Sequence, residues 1–222
     1  MGSSVPKQLL QLAGRPLLQY AVAAFDAAPG IDRVLVVMAP GFRAEAEEIV
    51  AAGSYRKVTD IFDGGVSRTA STRRALDALS SGTAEELDIL LHDAARPLVD
   101  QRIIAECLAE LRTSCAVTAA VPTADTILRV DGGTITDIPD RGGLLRCQTP
   151  QGFRLATLLR AYDLADADAG RSFQATDDCS VVLRYLPEVS IRVVPGSQRN
   201  IKVTEPADLA VAEALLRAPP AH

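Results

Sequence analysis

Apolar and polar positions along the chain follow two rhythms, one repeating every three to four residues and one every two. "PLLQYAVAAFDAA", residues 16–28, carries apolar residues at helical spacing and predicts an amphipathic helix. "IDRVLVVMAP" (31–40) is a short β-branched run, and "RAEAEEIVAAG" (43–53) returns to the helical period and stops at Gly53. The order then repeats. "RKVTDIF" (56–62) and "DILLHDA" (88–94) predict strands, "SRTASTRRALDAL" (67–79) the helix between them, and "DQRIIAECLAELRT" (100–113) leads on to the strand "CAVTAAVP" (115–122). That β-α-β-α order predicts an α/β fold with a largely parallel sheet covered by helices on both faces. In such sheets ligands bind outside the carboxyl ends of the strands.

Beyond Pro122 the rhythm changes. "TILRVDGGTITDIP" (126–139) places two strand-like runs either side of Asp131-Gly132-Gly133, which predicts a β-hairpin standing apart from the sheet. The exposed edges of such an arm need covering, often by a second subunit. After "QTPQGF" come a helix "RLATLLRAYDLADA" (154–167), a polar loop to Phe173, the segment "TDDCSVVLRYLP", a strand "SIRVVPG" (190–196) and a last helix from Glu205. There is no internal repeat or low-complexity linker, so the expectation is one domain, residues 1–222, with an arm contained in 124–148.

Composition narrows the class. Hydrophobic residues make up 48% and charged residues 23% of the 222 residues, and no apolar run approaches the roughly 20 residues of a membrane span. A cytoplasmic protein without a membrane partner is expected. The net charge of −5 argues against a nucleic-acid partner held by phosphate contacts, although a local basic pocket could still take an anionic small molecule. Cys107, Cys115, Cys147 and Cys179 lie far apart with no C-x-x-C, which suggests reduced and mostly buried thiols rather than a metal site.

The candidate chemistry begins at "LLHDAARPL" (90–98). An apolar strand ending in His92-Asp93 puts a carboxylate where the sheet opens, and such a carboxylate can hold Mg²⁺ while substrate phosphates complete the octahedron. Capping of the next helix, or a pair with Arg96, is the structural alternative. A His92–Asp93 hydrolase is disfavoured, because strand neighbours point to opposite faces and no G-x-S-x-G elbow is present. "GGVSRTASTRRAL" (64–76) leads a glycine pair into a hydroxyl-rich helix start; Gly64 and Gly65 would let backbone amides approach a ligand and Ser71 could reach a base or phosphate, with plain turn and capping roles as the alternative. Only three lysines occur, and Lys7 in "PKQ" and Lys202 in "NIKVT" could neutralise a triphosphate from two sides, unless both are simply solvated. Arg141 offers a planar fork for a phosphate and Thr149 a hydroxyl in a turn, while Thr176 fits the N-cap of a helix.

In this order, "PKQ", "GG..R..S", "HDAARPLV", "DTI", "R..L...QTPQ.F", "TDD" and "N.KVT.P.DL" closely resemble the CTP-dependent cytidylyltransferases of 2-C-methyl-D-erythritol 4-phosphate and their relatives acting on ribitol 5-phosphate. The similarity runs from about residue 5 to residue 217. It implies a Rossmann-like nucleotidyltransferase fold, a homodimer clasped through the arm, and Mg²⁺-dependent transfer of CMP from CTP to a polyol phosphate with release of pyrophosphate. By the same resemblance Lys7, Asp93 and Lys202 would be catalytic, with Asp93 also serving the metal. Gly64, Gly65, Ser71 and Ala94 would contact CTP, and Thr126, Arg141, Thr149 and Thr176 the acceptor, some across the dimer. Methylerythritol phosphate is the favoured acceptor and ribitol phosphate the alternative. A dimeric binding module without turnover, or an enzyme for another nucleotide, would keep the same fold. Family members begin with a strand and a Gly-rich loop that ends in Arg-Met, whereas this chain starts at the corresponding Met. The expectation is therefore a start set too late, and weak CTP binding and slow turnover by the chain as it stands.

Overall fold

The computed structural model describes residues 6–80, 87–168 and 175–219, so the polar loop expected up to Phe173 and the residues before Pro6 lie outside the described residues. The chain enters on one 3-10 turn, Lys7–Leu9, and a miniature antiparallel hairpin of β1 (Gln11–Leu12) and β2 (Arg15–Pro16). Its corner, Ala13-Gly14, has φ of 48° and 79°, the left-handed geometry that glycine adopts without a Cβ clash. The apolar period alone did not reveal this hairpin. The first helix, α1 (Leu17–Ala27), follows it and buries Leu17, Leu18, Ala21, Val22 and Phe25, the stripe its spacing predicts.

A βαβ unit comes next: β3 (Val34–Met38), α2 (Arg43–Gly53) and β4 (Val58–Asp63), with β3 and β4 paired in parallel. Helix α3 (Arg68–Leu79) starts at Ser67, whose hydroxyl accepts from the Ala70 N–H. Strand β5 (Asp88–Leu91), helix α4 (Gln101–Leu111) and strand β6 (Ala116–Pro122) then lead to the arm, a hairpin of β7 (Arg129–Asp131) and β8 (Thr134–Asp137) around Gly132-Gly133. Every residue of both arm strands is exposed, and among the described residues they pair only with each other.

The long strand β9 (Leu145–Arg154) was not foreseen as such from "QTPQGF". It runs antiparallel between β5 and β6, while β10 (Ile191–Pro195) joins β6 in parallel, for a sheet order β10-β6-β9-β5. Because β9 opposes both neighbours, β5, β6 and β10 still point the same way and their carboxyl ends share one edge. Helices α5 (Leu155–Ala167), α6 (Asp178–Tyr185) and α7 (Pro206–Arg217) complete the described elements.

Alternation along β6 sends successive side chains to opposite faces. Val117 and Ala119 pack with Ile103, Ile104, Cys107 and Leu111 of α4, and Ala116 packs with Phe153, Leu158, Tyr162 and Val182 on the other side. Helices on both faces explain why β6 is buried continuously from Ala116 to Val121 instead of alternating. The cysteines depart from the expectation: all four are free, but Cys107 alone is fully buried, and Cys115 and Cys147 are exposed.

Gly152, in mid-β9, sits where this two-sided packing is tightest. A Cβ there would lie 2.7 Å from Val117, 2.8 Å from Leu90 and 2.9 Å from Leu111. Gly152→Ala should therefore destabilise by about 1–3 kcal/mol and lower Tm by roughly 2–4 °C per kcal/mol. An unchanged thermal melt would mean that the core between β9 and α4 has slack.

Candidate active site

The apolar residues of β5 carry the chain to the shared carboxyl edge, where His92 and Asp93 emerge. The next turn, through Ala94 and Ala95, closes with the Arg96 N–H donating to the Asp93 carbonyl at 2.8 Å. Small residues let a second segment dock on it: the Val203 N–H donates to the Ala95 carbonyl at 2.8 Å, which lays "NIKVT" alongside. Lys202 thereby reaches Asp93, Nζ to Oδ2 at 2.7 Å, and Arg68 at the start of α3 approaches the other oxygen, Nε to Oδ1 at 3.4 Å. Burial pushes the Asp93 carboxyl up, but the hydrogen bond and charge of Lys202 and the charge of Arg68 outweigh it and hold the group below the usual carboxylate range.

The floor beneath Asp93 is a polar lattice. Arg96 donates to the carbonyls of Asn200, at 2.8 Å, and Cys147, at 3.2 Å. Fully buried Asn200 donates from Nδ2 to the Thr149 carbonyl at 2.9 Å. The Thr149 hydroxyl accepts from the Asp93 N–H at 3.0 Å and lies 3.1 Å from His92 Nδ1, whose Nε2 is 3.0 Å from the Arg96 carbonyl. A carbonyl only accepts, so Nε2 carries the proton and Nδ1 accepts from Thr149. Burial against Phe25, ring centroids 5.0 Å apart, lowers the His92 pKa to about 4 despite its hydrogen bonds. His92 thus braces the turn as a neutral imidazole.

The glycine loop closes on itself. The Gly64 N–H donates to the Met38 carbonyl at 2.5 Å, the Gly65 N–H to Ser71 Oγ at 3.1 Å, and the Ser71 hydroxyl to the Ser67 carbonyl at 2.9 Å. A Cβ on Gly64 would meet Ser71 Oγ at 2.6 Å and the Met38 carbonyl oxygen at 2.9 Å, so the first glycine is required by close approach. Arg74 clamps the loop from outside through the carbonyls of Asp63, at 2.9 Å, and Gly64, at 2.8 Å. Val66 at its tip is fully exposed.

Asp93, Lys202 and Thr149 are therefore brought together, with Ala94 in the same turn. Lys7 makes none of these contacts: it is exposed on its 3-10 turn, and its charge acts on Asp208 at the head of α7. Lys57, the remaining lysine, is structural, donating to the Ala28 carbonyl. Thr126 and Arg141 lie exposed at the base of the arm, Arg141 donating to the Ala124 carbonyl at 3.1 Å. Thr176 is exposed beside α6 but is not its cap. Asp177 caps instead, in a reciprocal box with Ser180, because its carboxylate accepts from the Ser180 N–H at 2.8 Å.

Sequence reasoning gave no role to Arg68, Asn200, Gln151 or Asp178, and offered Arg96 as a partner of Asp93, whereas its guanidinium bonds the carbonyls of Asn200 and Cys147. The sharpest omission is Asp178, a fully buried carboxylate 2.6 Å from Arg68 and bonded by the Tyr162 hydroxyl at 2.6 Å. The available signal was the acidic doublet in "TDD": one aspartate suffices to cap α6, and the second needed another partner.

The family model described as IspD, 2-C-methyl-D-erythritol 4-phosphate cytidylyltransferase, matches residues 1–218. A protein named 2-C-methyl-D-erythritol 4-phosphate cytidylyltransferase from Thermobifida fusca is 54% identical, across 98% of this chain and 88% of its own. A bifunctional ribulose 5-phosphate reductase/CDP-ribitol pyrophosphorylase from Haemophilus influenzae is 39% identical over 98% of this chain but only 45% of its own. Among solved structures, the 2-C-methyl-D-erythritol 4-phosphate cytidylyltransferase of Thermus thermophilus aligns with a TM-score of 0.75 at 32% identity, covering 96% of this chain and 94% of that one.

Neutral His92 predicts a pH dependence of stability. The unfolded chain takes up the imidazole proton below about pH 6.5, whereas the folded one resists until about pH 4. Stability should fall as pH drops across that window, by at most about 1.4 kcal/mol per unit. Urea melts should show a flatter acid limb for His92→Gln than for the parent chain; identical limbs would mean that His92 does not set it.

Proposed function

This chain belongs to the 2-C-methyl-D-erythritol 4-phosphate cytidylyltransferase family, and on that premise we propose that it transfers CMP from CTP to 2-C-methyl-D-erythritol 4-phosphate with release of pyrophosphate. The observation that carries this reading is Asp93 at the mouth of the sheet, held between Lys202 and Arg68. Cations gathered round one carboxylate, with neutral His92 turned into the floor, suit a reaction between anions better than one that needs a nucleophilic side chain.

In that reaction an oxygen of the acceptor phosphate attacks the α-phosphorus in line, and the bond to the bridging oxygen breaks with its electron pair leaving on pyrophosphate. The acceptor phosphate is already anionic near neutral pH, so no general base is required. The work of the protein is alignment and neutralisation. Lys202 is placed to offset phosphate charge as it does the charge of Asp93, and Lys7 would add a second cation for the phosphates. Gly64, Gly65, Ser71 and Ala94 would line the CTP side, the Gly64 and Gly65 N–H groups holding the shape of the loop through Met38 and Ser71. Thr176 would flank the acceptor side, and Thr149, whose buried hydroxyl is committed to the Asp93 N–H and His92, would hold the turn beneath it.

The donor set fits Mg²⁺. Asp93 retains free lone pairs beside its two cations, and a small octahedral ion that takes one carboxylate here would draw its other ligands from phosphates and water. No group of three or more His, Cys, Asp or Glu side chains that could hold a metal occurs among the described residues, which suits an ion shared with the substrate. When bound, such an ion would neutralise phosphate charge.

The arm supports a homodimer in the reading. Leu128, Val130, Ile135 and Ile138 are 47–58% exposed along it, an apolar strip that a second copy would cover. Thr126 and Arg141 stand exposed at its base, where a partner's acceptor would meet them. No described helix is long and apolar enough to cross a membrane, in keeping with a cytoplasmic enzyme. The Haemophilus influenzae relative keeps ribitol 5-phosphate as a second acceptor to test.

Pyrophosphate release with CTP and Mg²⁺ should exceed the acceptor-free background when methylerythritol phosphate is supplied, and should stop on chelation. Release with ribitol 5-phosphate alone would move the assignment to that acceptor, and release with neither would reject the reading. Lys202→Met should lower kcat by about 10²–10³-fold while the fold persists.

A further inference from the structure

Resting on that reading, we propose that Asp178 is a positioning residue which, through Arg68, fixes the Asp93 carboxylate and ties it to helix α6. The contacts form an unbroken path. Tyr162 donates to Asp178 Oδ1 at 2.6 Å, Arg68 Nη1 lies 2.6 Å from Asp178 Oδ2, Arg68 Nε lies 3.4 Å from Asp93 Oδ1, and Asp93 Oδ2 receives Lys202 at 2.7 Å. Arg68 thus spans two carboxylates and is held mainly by the deeper one.

Three features argue that Asp178 does more than fill space. Its side chain is fully buried, where an apolar residue would pack without desolvating a charge. It is not needed as a cap, because Asp177 and Ser180 already close the first turn of α6. Its backbone is fixed as well: the Asp178 N–H donates to Gln151 Oε1 at 3.2 Å, and Gln151 Nε2 donates to Asp177 at 2.8 Å. The start of α6, which carries Thr176, is therefore registered against β9 on one side and against Asp93 on the other. A shift of α6 on the acceptor side would be transmitted to the Asp93 carboxylate through Arg68, beside the backbone route through Gln151 and Thr149 of β9 to the Asp93 N–H.

The test uses the full chain with Asp178→Asn, Arg68→Gln and the double variant. The readouts are kcat, KM for each substrate, and the ¹³C resonance of the Asp93 carboxyl at fixed pH. Asp178→Asn should lower kcat by about tenfold to a hundredfold, leave KM for CTP within about twofold, and move the Asp93 resonance. In the Arg68→Gln background the same change should add nothing to the loss of kcat. Equal losses in both backgrounds, or an unmoved resonance with unchanged kcat, would overturn the proposal. Should Asp178→Asn not fold, Arg68→Lys keeps the charge but reaches only one carboxylate: kcat lost at parental Tm supports the link, and parental kcat refutes it. If the parent chain does not turn over methylerythritol phosphate, the functional reading fails on its own, and the Asp93 resonance still decides whether Asp178 acts on Asp93.

Discussion

A charged carboxylate at the edge of an apolar sheet is the constraint around which the rest of this site is built. Asp93 leaves a strand that packs into the core, and burial there favours the neutral acid. Lys202 and Arg68 reverse that preference, and each comes from a distant part of the chain, one after β10 and one at the start of α3. Bringing them in requires further fixed segments. Val203 is tied to Ala95, Arg96 to Asn200 and Cys147, and Thr149 to the Asp93 amide. Charge at one residue is thus coupled to the tertiary packing of four segments.

That coupling suits a reaction whose difficulty is repulsion between anions. Preorganised cations cost no reorganisation when charge shifts in the transition state, whereas flexible surface lysines would lose entropy on ordering. The lattice beneath Asp93 has the complementary property. Neutral His92, the Thr149 hydroxyl and the Arg96 carbonyl satisfy one another without adding charge, so they stiffen the turn and leave its electrostatics to the cations. The glycine loop obeys the same logic, with the side chains of Ser71 and Arg74 bonding its backbone and Val66 left at its tip.

The arm contrasts with this interior. Its two strands bury none of their side chains, and Leu128, Val130, Ile135 and Ile138 lie exposed along it. The acceptor candidates divide in the same way. Thr149 belongs to the rigid lattice, Thr176 to the outer lip of α6, and Thr126 and Arg141 to the base of the arm.

Local pattern by itself determined much of this protein. The periods of α1, α4 and α5, the β-branched run of β3 and the Asp-Gly-Gly turn of the arm follow from rules acting within a few residues, and each is where the pattern placed it. The ordered motifs likewise carried the family and the position of Asp93 at the end of β5. Local rules failed where partners are remote. The β1–β2 hairpin is too short to show a period, and β9 reads as a loop until β5 and β6 supply hydrogen bonds on both of its sides. The cap of α6 fell on Asp177 instead of Thr176 because Gln151 and Ser180 fix that turn. Only tertiary structure could join Arg68 to Asp178 and Lys202 to Asp93, pairs separated by 110 and 109 positions, since an ion pair depends on distance in space and burial, neither of which is written in neighbouring residues.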